Sequence, residues 1–100
     1  MKWKVTIDCH NGVTTYDIPF EARQKVYYAH KKKWWKKNSK WVISACLITG
    51  IWATNMCGVI LDNKEHIEYD RFDLLFTNKE EAIEFCIKKN AHAKVKIYGE

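Results

Sequence analysis

Residues 41–61 read WVISACLITGIWATNMCGVIL, a long stretch without a charged side chain, and we expect the core to form around it. Its length of about twenty residues would allow one membrane helix or one buried helix. Its many β-branched residues and the interruptions at Gly50 and Gly58 favour strands instead. We therefore predict a strand over residues 41–52, bent near Gly50, then a short turn and a second strand over residues 57–61.

The preceding segment, residues 30–40, reads HKKKWWKKNSK and has the opposite character, with six lysines around two adjacent tryptophans. Lysine binds phosphate and carboxylate groups by charge, while tryptophan stacks on unpaired bases and is frequent at the centre of protein interfaces. Arginine, the usual reader of guanine edges, occurs only as Arg23 and Arg71. The segment therefore indicates a surface that binds a nucleic acid or a protein without reading specific bases.

A helix is predicted over residues 19–37, which include Tyr27, Tyr28 and most of the lysines of residues 30–40. The proline at its first position loses no hydrogen bond there, and Phe20, Tyr27 and Trp34 recur every seven residues as one apolar stripe. Trp35 would then lie about 100° from that stripe, so we expect its side chain to be at least partly exposed. The alternative is that Trp35 packs back onto the edge of the sheet.

The N-terminal residues predict a β-hairpin. Residues 2–9, KWKVTIDC, alternate between apolar and polar side chains, which is typical of a half-buried strand. Asn11 and Gly12 form the pair that favours a two-residue type I′ turn. Residues 13–18 then return as the second strand.

The C-terminal third predicts a strand, a helix and a last strand. Residues 66–76 suit a strand with a break near its middle. Thr77 with Glu80 three residues later has the spacing of a capping box, so we expect a helix from there to about Asn90. Residues 93–98 alternate again and end the fold.

Taken together, these elements predict a single α+β domain over residues 1–100. Their order is β-β-α-β-β-β-α-β, a mainly antiparallel sheet with two helices packed on it. The length of 100 residues and a hydrophobic content of 47% suffice for one core. Apolar residues on both faces of the central strands imply that both faces are covered, either by helices or by a second copy of the chain.

The cysteines and the N-terminus bear on the compartment and on metals. The chain begins with the alternating strand pattern instead of an apolar leader, which predicts a cytoplasmic protein with reduced thiols. Four Cys and four His could supply zinc ligands, but no CxxC or HxxxH pair occurs. We therefore predict neither a metal nor a cofactor.

One cluster has acid–base character, namely His66, Glu68 and Asp70. On one strand the three side chains would share a face, and a ribonuclease-like toxin could use such a set. Alternating charged residues are, however, the normal pattern of a solvent-facing strand, and no phosphate-binding glycine loop or nucleophile motif is present. We therefore predict that the protein is not an enzyme.

The formal charge of +5 and the lysine-rich segment lead to the functional prediction. We expect a small binding protein, of bacterial or phage origin, that docks a basic and aromatic surface onto a nucleic-acid-handling protein with an acidic surface, as an inhibitor or adaptor of the anti-defence type. The alternative is direct, non-sequence-specific binding of RNA or single-stranded nucleic acid. A ribonuclease-like toxin and a small membrane protein rank lower, and no membrane contact is expected. The predicted binding residues are Tyr28, Lys31, Lys32, Lys33, Trp34, Trp35, Lys36, Lys37 and Lys40.

Overall fold

The computed structural model describes residues 2–10, 12–33, 35–37, 39–91 and 94–100. Across these ranges the chain forms mainly antiparallel strands together with two helices, so the predicted α+β class is confirmed. In chain order the elements are β1 (Lys2–Cys9), β2 (Gly12–Glu21), β3 (Lys25–Lys31), β4 (Trp41–Ala53), β5 (Cys57–Leu61), β6 (His66–Glu68), a 3-10 helix (Tyr69–Leu74), β7 (Leu75–Phe76), α1 (Lys79–Lys89) and β8 (Ile97–Tyr98).

The chain divides into two compact units. Unit 1 consists of Met1–Gln24 and Leu47–Phe72, and unit 2 consists of Lys25–Cys46 and Asp73–Glu100. The long strand β4 contributes its second half to unit 1 and its first half to unit 2. Each unit buries apolar side chains of its own. That the whole chain forms one domain stays a prediction.

The predicted hairpin of unit 1 is confirmed. β1 and β2 pair in antiparallel register with Cys9 opposite Gly12. Gly12 has a φ of 114°, a conformation that glycine adopts without strain. The predicted turn type depends on Asn11 and lies outside the described residues. Val5 and Ile7 are buried while Thr6 between them is exposed, as the alternation predicts.

The prediction of a helix over residues 19–37 is wrong. β2 continues through Pro19 to Glu21 and pairs with β1 in a two-stranded sheet. Both strands of such a sheet are edge strands, and an edge strand tolerates a proline, which has no N–H to donate. Residues 25–31 then form β3 instead of helical turns. Their sequence KVYYAHK contains one valine and two tyrosines, which favour strands, and β3 has β4 on one edge and the short β7 on the other. Strand pairing therefore outweighs the seven-residue spacing.

The strands predicted for residues 41–61 are confirmed. β4 and β5 pair in antiparallel register, with Ala53 opposite Cys57 at the turn. The register shifts between Ile48 and Gly50, where the bend is predicted. The alternatives of a single buried or membrane helix for this segment are therefore wrong. No helix in the described part of the chain has the length and the apolar character needed to cross a membrane.

The predicted break in residues 66–76 takes the form of the 3-10 helix. β6 pairs with β5 and ends at Glu68, and the 3-10 helix follows immediately. Its aromatic side chains pack within unit 1. The ring of Tyr69 meets the ring of Tyr16 edge-on at 4.9 Å, and the ring of Phe72 meets that of Phe20 at 5.3 Å. These contacts explain why the segment folds back as a helix instead of continuing as a strand.

Helix α1 forms where a capped helix is predicted, but its cap is one residue later. Asn78, not Thr77, accepts the backbone N–H of Glu81 at 3.1 Å. Asparagine is at least as effective as threonine at the N-cap position. Asn78 lies three residues before Glu81, the spacing at which an N-cap side chain accepts a backbone N–H. The helix ends at Asn90 as predicted.

The core of unit 2 forms between α1 and the strands. Ala82 and Cys86 of the helix are fully buried against Ala29 of β3 and Ile43 of β4. Burial raises the pKa of the Cys86 thiol to about 11, so this cysteine acts as a small apolar residue. Next to this core, β8 pairs in parallel with the first half of β4. This packing fixes the end of α1 beside the start of β4, where the candidate site lies.

Candidate anion-binding site

The lysine loop, which we define as residues 32–40, connects β3 to β4 and is closed by its own hydrogen bonds. The backbone N–H of Lys32 donates to the carbonyl of Lys40 at 2.9 Å, so the loop starts from a paired end. Inside the loop, the N–H of Lys33 donates to the hydroxyl oxygen of Ser39 at 2.7 Å. The two ends of the loop are therefore joined to each other by hydrogen bonds.

A pocket of about 370 Å³ lies between the lysine loop, the first residue of β4 and the end of α1. We call it the basic pocket. Four lysines line it, and they come from three parts of the chain: Lys31 from β3, Lys37 and Lys40 from the loop, and Lys89 from the helix. Ser39, Trp41, Asn90 and Ala91 complete the lining among the described residues, and none of these carries a carboxylate.

The wall of the basic pocket is held by a pair of hydrogen bonds across 49 residues of sequence. The side-chain oxygen of Asn90 accepts the backbone N–H of Trp41 at 2.7 Å, and its amide nitrogen donates to the carbonyl of Trp41 at 2.8 Å. The Trp41 ring also packs edge-on against Phe85, with ring centres 5.5 Å apart. Trp41 is therefore fixed through both its backbone and its ring.

Among the described residues, the four lysines of the basic pocket form no ion pair with a carboxylate. By contrast Lys88, the neighbour of Lys89, pairs with Glu84 at 3.6 Å on the exposed side of α1. The ammonium group of Lys89 lies over the rings of Trp41 and Phe85, at 5.8 and 5.5 Å from their centres. Four like charges around one pocket favour an anion as ligand.

The predicted binding residues that the structure describes fall into three groups, which line the basic pocket, are exposed outside it, or, for Tyr28, are buried. Lys31, Lys37 and Lys40 line the basic pocket. Lys32, Lys33 and Lys36 are exposed on the lysine loop but do not contribute to that lining, and Trp35 has 64% of its surface exposed. Trp34 lies outside the described residues.

Tyr28 does not belong to the surface. It is 5% exposed on β3, and its ring stacks on that of His30 with centres 4.9 Å apart. The prediction placed Tyr28 on a helix that does not form, where it would have faced solvent near the lysines. On the strand, alternation turns its side chain inward together with that of Val26.

Five lining residues were not among the predicted binding residues, namely Ser39, Trp41, Lys89, Asn90 and Ala91. For Lys89 and Asn90 the available signal was the pair of lysines and the asparagine at the end of a well-capped amphipathic helix. That signal identifies a helix end, but not which other part of the chain meets it.

We expect the Asn90→Ala variant to lose about 2–3 kcal/mol of stability, because both the N–H and the carbonyl of Trp41 lose their partner and no new charge enters the basic pocket. Asn78→Ala is the matched control at the other end of α1, where one hydrogen bond to a backbone N–H is lost. Its stability should fall by only about 1 kcal/mol. Urea unfolding of both variants measures the difference, and equal effects would contradict the assigned role of Asn90.

The alternative catalytic cluster is not assembled as predicted. His66 and Glu68 lie on β6, but Asp70 falls in the 3-10 helix, so the three do not follow one strand. The His66 ring nitrogen Nδ1 donates to the carbonyl of Lys64 at 3.1 Å. In the described part of the chain, no three His, Cys, Asp or Glu side chains are grouped to hold a metal ion.

Comparison with known proteins adds no assignment. No protein-family model, no curated protein and no solved structure gives a significant match to this chain. The functional argument therefore depends on the geometry and charge of the site.

Proposed function

We propose that this chain is a small non-enzymatic binding protein whose lysine loop and basic pocket bind single-stranded nucleic acid without sequence specificity. The observation that carries the proposal is the pocket, which four lysines line without a carboxylate partner among the described residues. A phosphate backbone supplies a series of negative charges that lysines can contact, and its binding releases counterions.

The aromatic residues support a single strand over a duplex. Trp35 is 64% exposed on the same loop as the lysines, and an exposed indole offers a face on which an unpaired base can stack. A duplex keeps its bases stacked on each other, so it would use the lysines but not the indole. The absence of arginine from residues 30–40 agrees with binding that does not read base edges.

The proposal is tested by fluorescence anisotropy with labelled, unstructured single strands of RNA and DNA and with a duplex of equal length. If about four phosphates are contacted, the affinity should fall roughly 50-fold between about 50 and about 200 mM salt. Single strands should bind more tightly than the duplex, and Trp35→Ala should remove most of that difference. No binding at the lower salt concentration would refute the proposal.

A second candidate function is docking onto an acidic protein, such as a nucleic-acid-handling protein. Exposed tryptophan surrounded by lysine is also typical of the centre of a protein interface, and Trp35 is the observation that favours it. An acidic homopolypeptide such as polyglutamate separates the two. Binding of polyglutamate without binding of any nucleic acid would favour the protein partner.

A further inference from the structure

We infer that the basic pocket seats the terminal phosphate monoester of a bound strand, while the exposed lysines of the loop contact the internal phosphates. This inference rests on the proposed function and assigns separate roles to two sets of lysines. Lys31, Lys37 and Lys40 line the pocket, whereas Lys32, Lys33 and Lys36 do not. Both sets lie within the ten residues 31–40, so composition alone does not distinguish them and the fold does.

Charge favours an end over an internal position. A phosphate monoester carries a charge of about −1.5 to −2 at neutral pH, whereas an internal phosphodiester carries about −1. Four lysines line the pocket, one of them Lys89 from α1, and none of the described lining residues carries a carboxylate. A phosphate monoester therefore neutralises more of the positive charge of the four lysines than an internal phosphodiester does.

Geometry supports the same choice. An internal phosphodiester must continue as a chain in two directions, whereas a terminal phosphate is attached on one side only and can enter a concave site. Lysine ammonium groups have three donors each, and a phosphate monoester has three terminal oxygens to accept from them. The hydroxyl of Ser39 accepts a hydrogen bond from Lys33, and its own proton is available for a phosphate oxygen.

The wall of the pocket is preorganised for this ligand. Asn90 holds both polar backbone groups of Trp41, so the ligand does not need to satisfy them. The volume of about 370 Å³ exceeds that of a phosphate group and lies at the lower end of the roughly 300–1,000 Å³ of small-ligand pockets. It can therefore take part of the terminal nucleoside together with its phosphate.

The test compares one oligonucleotide in three forms, with a 5′-phosphate, with a 3′-phosphate and with hydroxyls at both ends. We expect one phosphorylated form to bind about tenfold more tightly than the hydroxyl form, the effect of one further hydrogen bond to a charged group. The form that gains affinity identifies which end enters the pocket. Circular dichroism and thermal unfolding show whether each lysine variant of the protein used in this test is folded.

Two triple variants locate the effect. The pocket triple, Lys31→Gln, Lys37→Gln and Lys40→Gln, should lose the preference for the phosphorylated end. The loop triple, Lys32→Gln, Lys33→Gln and Lys36→Gln, removes the same number of charges from the same segment and should keep it. Both triples should bind the hydroxyl form more weakly than the parent does.

The outcomes separate this inference from the proposed function. Equal affinity of the parent protein for all three forms would refute the terminal-phosphate inference and leave single-strand binding intact. A preference kept by the pocket triple but lost by the loop triple would place the terminal phosphate outside the pocket and also refute it. Failure to bind any form would refute both.

Discussion

We expect Gly58→Ala to destabilise the protein by about 3 kcal/mol or more. A Cβ atom at this position of β5 would lie 2.0 Å from the backbone oxygen of Ile67 on the neighbouring strand β6. It would also lie 2.9 Å from the indole nitrogen of Trp52 on β4. Overpacking typically costs about 1–3 kcal/mol, and this clash lies at the upper end or beyond because a backbone atom cannot rotate away.

The matched control is Gly50→Ala, in the strand paired with β5. Gly50 lies opposite Ile60 in the same sheet of unit 1, but a Cβ atom there would have no heavy atom within 4 Å. Replacing a glycine at a position that alanine tolerates raises stability by about 0.4–1 kcal/mol, because the unfolded chain loses freedom. The two identical substitutions should therefore change stability in opposite directions.

Thermal unfolding measures both variants. For a chain of this length about 3 kcal/mol corresponds to a fall in Tm of roughly 12 °C or more. If Gly58→Ala does not accumulate as a folded protein, the fraction of each variant that resists brief proteolysis in cell extract is measured instead of Tm. A Gly58→Ala protein with the Tm of the Gly50→Ala protein would show that β5 and β6 are not as close as described.

The contrast between these glycines shows what local sequence can and cannot predict. Both glycines interrupt the apolar stretch in the same way, and both serve the prediction that residues 41–61 form strands. The bend at Gly50 follows from the position of that residue within one strand. The close approach at Gly58 depends on β6, whose pairing partner is not encoded in the neighbouring residues.

The wrongly predicted helix has a similar cause. Phe20, Tyr27 and Trp34 are spaced as on a helix, but Phe20 lies on β2 of unit 1 and Tyr27 lies on β3 of unit 2. Residues 25–31 also have aromatic and β-branched side chains that suit a strand, so the local pattern fits either structure. Pairing of β3 with β4 on one side and β7 on the other decides between them.

The lining of the basic pocket was predicted only in part, because it too depends on long-range contacts. The lysines of residues 31–40 are evident from composition, and three of them line the basic pocket. Whether a lysine faces the pocket or solvent depends on the path of the loop backbone. Hydrogen bonds within the loop, such as that from the backbone N–H of Lys33 to the hydroxyl of Ser39, hold this path. Lys89 and Asn90 reach the pocket because α1 packs on the strands of unit 2, a long-range contact that no local pattern reveals.

The largest functional effect is expected from reversing the charges of the basic pocket. In the variant Lys37→Glu, Lys40→Glu and Lys89→Glu, three of the four pocket cations become anions. The affinity for single-stranded nucleic acid should fall at least about 100-fold at low salt, since like charges repel across a site that was attractive. The remaining binding should depend less steeply on salt concentration, because only the lysines outside the pocket then displace counterions from the strand.

Reversal of Lys2, Lys4 and Lys88 provides the control for net charge. Each triple reversal takes the formal charge from +5 to −1, since each Lys→Glu substitution lowers the net charge by two. Lys88 is the neighbour of Lys89 on α1 but faces Glu84, and Lys4 has Asp17 at 3.7 Å in an exposed pair that contributes little to stability. If the pocket binds the strand, the control should lose less than about tenfold in affinity, through the weaker long-range field alone. Equal losses in the two variants would mean that the total charge of the chain, and not the four lysines gathered around the pocket, attracts the ligand.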